Sequence, residues 1–153
     1  MSNKGIIFDW RGTLSDNNKQ LLSFVPDLLK KLHAKYKLGL ITSPSESMEE
    51  RLNELKTTGI FHYFTSVIVI NKETNQKKNS QTFLTCMEEL GSKPDATYIV
   101  DDRTVKGIKI GNQIGCRTVW IKNGNFPHEL PDEKTGKPTF IINTAEELPK
   151  ILN

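Results

Sequence analysis

The stretch Lys4-Gly5-Ile6-Ile7-Phe8-Asp9-Trp10-Arg11-Gly12-Thr13-Leu14 decides how this chain is read. An apolar run ends on a carboxylate and passes into a loop containing Gly12, which predicts a strand over Lys4–Asp9 that delivers Asp9 at its carboxyl end. Working outward, the same order recurs: a short β-branched run, a polar or glycine-containing turn, then an amphipathic segment. Strands are expected at Leu38–Thr42, Ser66–Ile70, Thr97–Val100 and Arg117–Ile121, with a short last one at Phe140–Ile142. That alternation argues for parallel strands joined by crossover helices.

The helices announce themselves by spacing and caps. Leu28, Leu29 and Leu32 share one face of a helix that Pro26 can enter in its first turn. Ser47 with Glu50 reads as a capping box ahead of Leu52 and Leu55, with a stop near Gly59. Ser80 is the expected cap of a helix carrying Phe83, Leu84, Met87 and Leu90 and ending at Gly91. After Asp101 and Asp102, the residues Val105, Ile108 and Ile114 suggest a further helix stopping at Gly115. Residues 122–138, rich in glycine, proline and charge, read as a surface excursion. Thr144 and Glu147 suggest a capped terminal helix that Pro149 keeps short.

With 153 residues, residues 1–153 form one expected domain around one core. Hydrophobic residues make up 36% and charged residues 25%, the balance of a soluble protein. No apolar run approaches the roughly 18 residues needed to cross a bilayer, and the start lacks a signal-peptide pattern, so no membrane and a cytoplasmic location are expected. Cys86 and Cys116 have neither metal-site nor redox spacing and read as buried thiols. The net charge is +3, with lysines at 30, 31, 35 and 37 reading as the wet face of a helix. Without interleaved aromatics or a base-reading motif, nucleic acid is not the expected partner. His33, His62 and His128 lack ligand spacing.

Open parallel sheets bind ligands beyond the carboxyl ends of their strands. Asp9, Thr42, Lys77 or Lys78, and the pair Asp101 and Asp102 all fall there. Each has a plain reading: a capping aspartate, a strand end, a solvated lysine, turn carboxylates. Their recurrence at successive strand ends is the stronger signal. Asp9 and one of the paired aspartates can share a hard divalent cation, because Mg2+ prefers oxygen ligands. A hydroxyl and amides near Thr42 can donate to phosphate, and a lysine can offset charge. Asp9 would then stand ready to attack phosphorus.

The chain resembles the haloacid dehalogenase (HAD) superfamily. Asp9-Trp10-Arg11-Gly12-Thr13-Leu14 is similar to its first motif, Leu40-Ile41-Thr42 to the second, Lys77 to the third-motif lysine, and Ile99-Val100-Asp101-Asp102 to the fourth. The resemblance implies an α/β, Rossmann-like three-layer domain with a mainly parallel sheet. It also implies a magnesium-dependent phosphohydrolase that forms an aspartyl-phosphate. Asp9 would be nucleophile and metal ligand, and the backbone carbonyl of Arg11 a further ligand. Asp102 is the first choice for the remaining direct ligand, with Asp101 bound directly or through water. Thr42, Ser43, Lys77 and Arg11 would face phosphate.

Two departures stand out. Phosphatases of the superfamily generally have a second aspartate where Arg11 stands, and arginine can neither donate that proton readily nor accept one from water. The expectations for Arg11 are therefore a side chain turned to phosphate, one turned outward, or an ion pair in a non-catalytic site. Gly107 falls where a further acidic residue often supports the metal's water shell. The intervals Asp9 to Thr42 and Thr42 to Lys77 leave no room for an independent cap. Capless members of the superfamily suggest a phosphorylated small molecule, or an exposed phosphate on a larger substrate, with a homo-oligomer as one means of closure. The rival reading is an impaired phosphate-recognition or protein-interaction module.

Overall fold

The computed structural model describes residues 3–74 and 78–152. A six-stranded sheet runs through it in the order β3-β2-β1-β4-β5-β6, built from β1 (Asn3–Phe8), β2 (Lys37–Thr42), β3 (Phe64–Val69), β4 (Ser92–Asp101), β5 (Arg117–Ile121) and β6 (Phe140–Ile142). Every neighbouring pair is parallel. The helices are α1 (Val25–His33), α2 (Met48–Lys56), α3 (Ser80–Leu90), α4 (Lys109–Ile114) and α5 (Leu148–Ile151).

Strand alternation sorts the core into two layers. Ile6, Phe8, Leu38, Leu40 and Val100 face α1, where Val25, Leu28, Leu29 and Leu32 are buried, together with Leu55 of α2 and Leu148 of α5. Ile7, Ile41 and Ile99 point the other way, onto Phe83, Cys86, Met87 and Leu90 of α3 and Ile110 of α4. The period of two along a strand buried on both faces produces this division. Contact is close enough that a Cβ on Gly39 would lie 2.6 Å from the Cys86 sulfur. Both cysteines are free and buried.

The order of strands reverses between β1 and β4. From β1 the chain moves outward through β2 to β3, then returns to lay β4 on the other side of β1. That reversal leaves a crevice at the carboxyl edge, because the loops leaving β1 and β4 diverge to opposite sides. Phe8 is in register with Val100, and the Asp9 amide donates to the Val100 carbonyl at 3.0 Å. Asp9 and Asp101 therefore emerge side by side.

Several boundaries differ from those read in the sequence. Strand β4 begins at Ser92 rather than Thr97, and its pairing with β1 shifts register between Asn3 and Gly5. Pro94 and the exposed Lys93 and Asp95 disguise this half as a loop, and Thr97 Oγ1 bonds to Ser92 Oγ across the irregularity at 2.8 Å. After β4 the expected helix begins as a π-helix over Thr104–Ile108 and continues into α4, which stops at Gly115 as read; Val105 is exposed rather than on an apolar face. The cap of α3 is Asn79, not Ser80: its side chain accepts from the Thr82 amide at 3.2 Å, and the Thr82 hydroxyl accepts in return from the Asn79 amide. Ser47 caps α2 as expected, and Thr144 with Glu147 caps the short turn before α5.

The change of cap gives a direct check. Asn79→Ala should lower stability by about 1 kcal/mol, whereas Ser80→Ala should stay within about 0.5 kcal/mol of wild type, both read from urea midpoints at unchanged slope. Equal losses would contradict the assigned cap.

Candidate functional site

Asp9, Asp101 and Asp102 converge at the crevice between β1 and β4. Each offers one carboxylate oxygen, and these oxygens lie within 4.8 Å of one another. Lys78, immediately before the cap of α3, places its ammonium 3.5 Å from Asp9 Oδ1 and 3.2 Å from Asp101 Oδ2. The expected Lys77 lies outside the described residues. Lys78 brings one positive charge to three carboxylates, a balance that a buried site tolerates poorly without another cation.

The two neighbouring aspartates have different surroundings. Asp101 is saturated: Oδ1 accepts from the Arg103 amide at 3.0 Å, and Oδ2 from the Gly107 amide at 2.9 Å as well as from Lys78. Asp102 has Oδ2 bonded to the Asn125 amide at 2.9 Å, but its buried Oδ1 has no hydrogen-bond partner among the described residues. An orphaned carboxylate oxygen beside two further carboxylates fits a hard, oxygen-seeking cation such as magnesium. Trp120 donates to the Asp102 carbonyl from beneath at 3.0 Å, fixing the backbone that aims it.

Glycines reserve this space. A Cβ on Gly107 would come within 2.3 Å of Asp101 Oδ2, so the position read as a lost acidic residue is one whose bare amide holds Asp101. Gly12, at φ +87°, would drive a Cβ to 2.1 Å from Asp102 Oδ2.

Proton affinities follow from this crowding. Burial, then the charge of Asp101, raises Asp9 well above the usual carboxylate range, with Lys78 opposing. The same two causes push Asp102 up to about 6. Burial alone would lower the Lys78 pKa, but Asp101 and Asp9 hold it above the ordinary lysine value.

Arg11 is turned into an ion-pair frame on the adjacent wall. Its two terminal nitrogens reach the two oxygens of Glu54 at 2.8 and 2.9 Å, and one of them also donates to Ser15 Oγ and the Asp16 carbonyl. Glu54 accepts from the Trp10 indole too, and Trp10 is fully buried. Arg51 of α2 completes the frame: Nε and Nη2 approach Glu46 Oε1 at 3.1 and 3.0 Å, and Nη1 donates to Thr42 Oγ1. Burial would raise both glutamates, but hydrogen bonds and charge win: Arg11 and Trp10 hold Glu54 low, and a bond from its own backbone amide, then the charge and side chain of Arg51, hold Glu46 low.

Sequence reasoning did not single out Arg51, Glu46 or Glu54. Arg51 is 3% exposed, on a helix whose polar composition reads as a wet surface. The available signal was an arginine one position before Leu52 and four after the cap.

These groups border an open cleft of about 800 Å3 lined by Asp9, Asp102, Thr42, Ser43, Lys78 and Arg51, with Arg103, Lys106 and Phe126 at its far side. No helix among the described residues is long and apolar enough to cross a membrane.

The family model of haloacid dehalogenase-like hydrolases matches residues 6–121. The chain is 31% identical over 141 residues to a Clostridium perfringens protein named "Putative pyrophosphatase PpaX", covering 88% of this chain and 64% of that one. YfnB of Bacillus subtilis, a structure solved bound to magnesium, superposes with a TM-score of 0.72 at 27% identity, over 88% of this chain and 57% of that one. A HAD phosphatase from Thermococcus onnurineus gives 0.69 at 29% identity, over 86% and 58%. The chain thus spans less than two thirds of the length of each.

The unpartnered oxygen of Asp102 leads to a paired expectation. A carboxyl whose pKa is raised by folding binds protons more tightly in the folded state, so its ionised form destabilises the metal-free fold; the penalty is full above about pH 6 and fades toward pH 4. Magnesium at about a hundredfold above its dissociation constant should add about 2.7 kcal/mol, roughly 5–10 °C in Tm, at pH 7.5 and distinctly less at pH 5. Asp102→Asn should raise the metal-free Tm at pH 7.5 and remove the magnesium shift. Thermal melts with magnesium or a chelator check both; a shift that survives Asp102→Asn counts against a cation at this oxygen.

Proposed function

Because the chain belongs to the haloacid dehalogenase-like hydrolase family, we propose that it is a magnesium-dependent phosphohydrolase acting through an aspartyl-phosphate on Asp9, with activated phosphates as its preferred substrates. The observation that carries this reading is the position of Asp9, open to the cleft between the Lys78 ammonium and the unpartnered oxygen of Asp102. In this reading Asp9, Asp102 and the backbone carbonyl of Arg11 hold the metal, with Asp101 braced behind them by Lys78 and two amides. Magnesium bound there would supply Lewis-acid relief of charge on the phosphoryl oxygens.

The chain's own residues do the remaining work. Thr42 and Ser43 offer hydroxyls to phosphate oxygens, and Lys78 takes the role expected of Lys77, steadying the charge on Asp9 and phosphate. A carboxylate oxygen of Asp9 attacks phosphorus, and the bond to the leaving oxygen breaks with its electron pair. Water then attacks the phosphorus, releases phosphate and restores the Asp9 carboxylate, giving its proton to solvent or product.

Arg11 determines the substrate class. A general acid is needed when the leaving oxygen is a poor one, and among the described residues the wall that carries Arg11 supplies none: Arg11 is locked to Glu54, and hydrogen bonds and arginine charge hold Glu54 and Glu46 below the usual carboxylate range. Leaving groups that depart as stable anions, those of phosphoanhydrides, acyl phosphates and aryl phosphates, avoid that requirement. The same ion pair favours a second reading, a phosphate-recognition module that binds without turning over.

Rapid-quench mass spectrometry with an activated aryl phosphate and magnesium separates the two. Phosphate should appear on Asp9 in a burst followed by slow turnover, and Asp9→Asn should show neither. Phosphate binding without any labelled Asp9 would leave only the recognition module. Arg11→Asp combined with Glu54→Gln, which restores an acid without stranding a carboxylate, should accelerate the slow phase by about a hundredfold, the low end of general acid–base contributions.

A further inference from the structure

We propose that Arg51 is a positioning residue that fixes the Thr42 hydroxyl as a hydrogen-bond donor to phosphate, and that the Arg11–Glu54–Arg51–Glu46 frame exists to hold it in that posture. The inference rests on the functional reading above, in which Thr42 meets phosphate.

A threonine hydroxyl has one hydrogen and two lone pairs, and its rotor settles where partners dictate. Arg51 Nη1 donates to Thr42 Oγ1, occupying a lone pair with a group that cannot accept a hydrogen bond in return. The hydroxyl hydrogen must therefore point away from Arg51. Thr42 lies at the end of β2 and lines the cleft, so the hydrogen is directed to where a phosphate oxygen would lie. The guanidinium's charge also polarises the O–H bond, making it a better donor.

Arg51 can act this way only while it is immobile and neutralised. Its side chain is 4% exposed, and a charge buried that deeply requires partners. Nε and Nη2 both close on Glu46 Oε1, and Glu54 Oε1 stands 3.9 Å from Nε. Two carboxylates against one arginine would be overcharged. Arg11 corrects this by gripping Glu54 with two hydrogen bonds and standing 3.9 Å from Glu46. The frame alternates cation and anion, and the arginine that displaces the family's usual aspartate is the member that balances it. Lysine at position 51 would lack the planar fork that meets Glu46 and Thr42 at once.

The test measures binding of inorganic phosphate to the magnesium-loaded protein by calorimetry. The variants are Thr42→Val, Arg51→Gln and their double, with the charge-balanced pair Arg51→Gln/Glu46→Gln as an alternative background if Arg51→Gln alone fails to fold. The magnesium-dependent melting shift reports that the aspartate cluster is intact in each. Thr42→Val and Arg51→Gln should each weaken phosphate by about tenfold or more, and the double no further, because both remove one oriented donor. Thr42→Ser should retain binding while Arg51 is present and lose it with Arg51→Gln. Phosphate affinity unchanged by Arg51→Gln, or losses that multiply in the double, would overturn the assignment while leaving the functional reading standing. A wild-type protein that binds no phosphate would overturn both.

Discussion

The parallel pairing of β1 with β4 is the constraint from which the rest of the carboxyl edge follows. It sets the Asp9 amide on the Val100 carbonyl, so the residues that leave the two strands next are carboxylates held closer together than they would choose in water. Pleated geometry puts like charges together here, and hydrophobic burial on both faces of the sheet sustains the arrangement. Lys78 relieves part of the repulsion at Asp9 and Asp101, and the amides of Arg103 and Gly107 relieve more at Asp101 alone. What remains uncompensated is concentrated on one oxygen of Asp102. A fold that can afford this defect is one whose ligand is expected to remove it.

A second charged system, of opposite design, stands on the other wall. Around Asp9 the charges are unbalanced and accessible; around Glu54 they alternate and are closed to further partners. Arg11 belongs to the second system although its sequence neighbours belong to the first. The side chain cannot be at once a partner of Glu54 through both nitrogens and a mobile clamp on substrate, and its geometry is that of the partner. Fold membership alone would have assigned this position to acid–base chemistry, and the side chain that is present removes that chemistry while leaving the fold untouched.

Much of this was legible in the residues and some was not, for identifiable reasons. Apolar runs ending on Asp9, Thr42 and Asp101 marked the strands and their carboxyl ends because period-two burial leaves a strong trace. The amino-terminal half of β4 left none, since Pro94 and its charged neighbours belong to a strand segment that is only partly covered. Lys77 and Lys78 are adjacent and chemically identical in sequence, and only the fold brings the Lys78 ammonium to Asp9 and Asp101. Arg51 was hidden by an assumption about charge. On a helix as polar as α2 an arginine is ordinarily taken for solvent, and only the placement of Glu46 and Glu54 shows that it points inward. Distances between groups remote in sequence, such as the 43 residues separating Arg11 from Glu54, leave no periodic signature at all.

The excursion over residues 122–138 has a consequence for how the molecule can move. Its Asn125 amide holds Asp102 Oδ2, while the Asn125 side chain reaches across to Asn17 in the loop that follows β1. Farther along, Glu129 pairs with Arg103, whose guanidinium lies 3.9 Å from the Phe126 ring centre. What looks like slack between two strands is in mechanical terms a tie-rod: through Asn125 it links the carboxylate of Asp102 to the loop after β1.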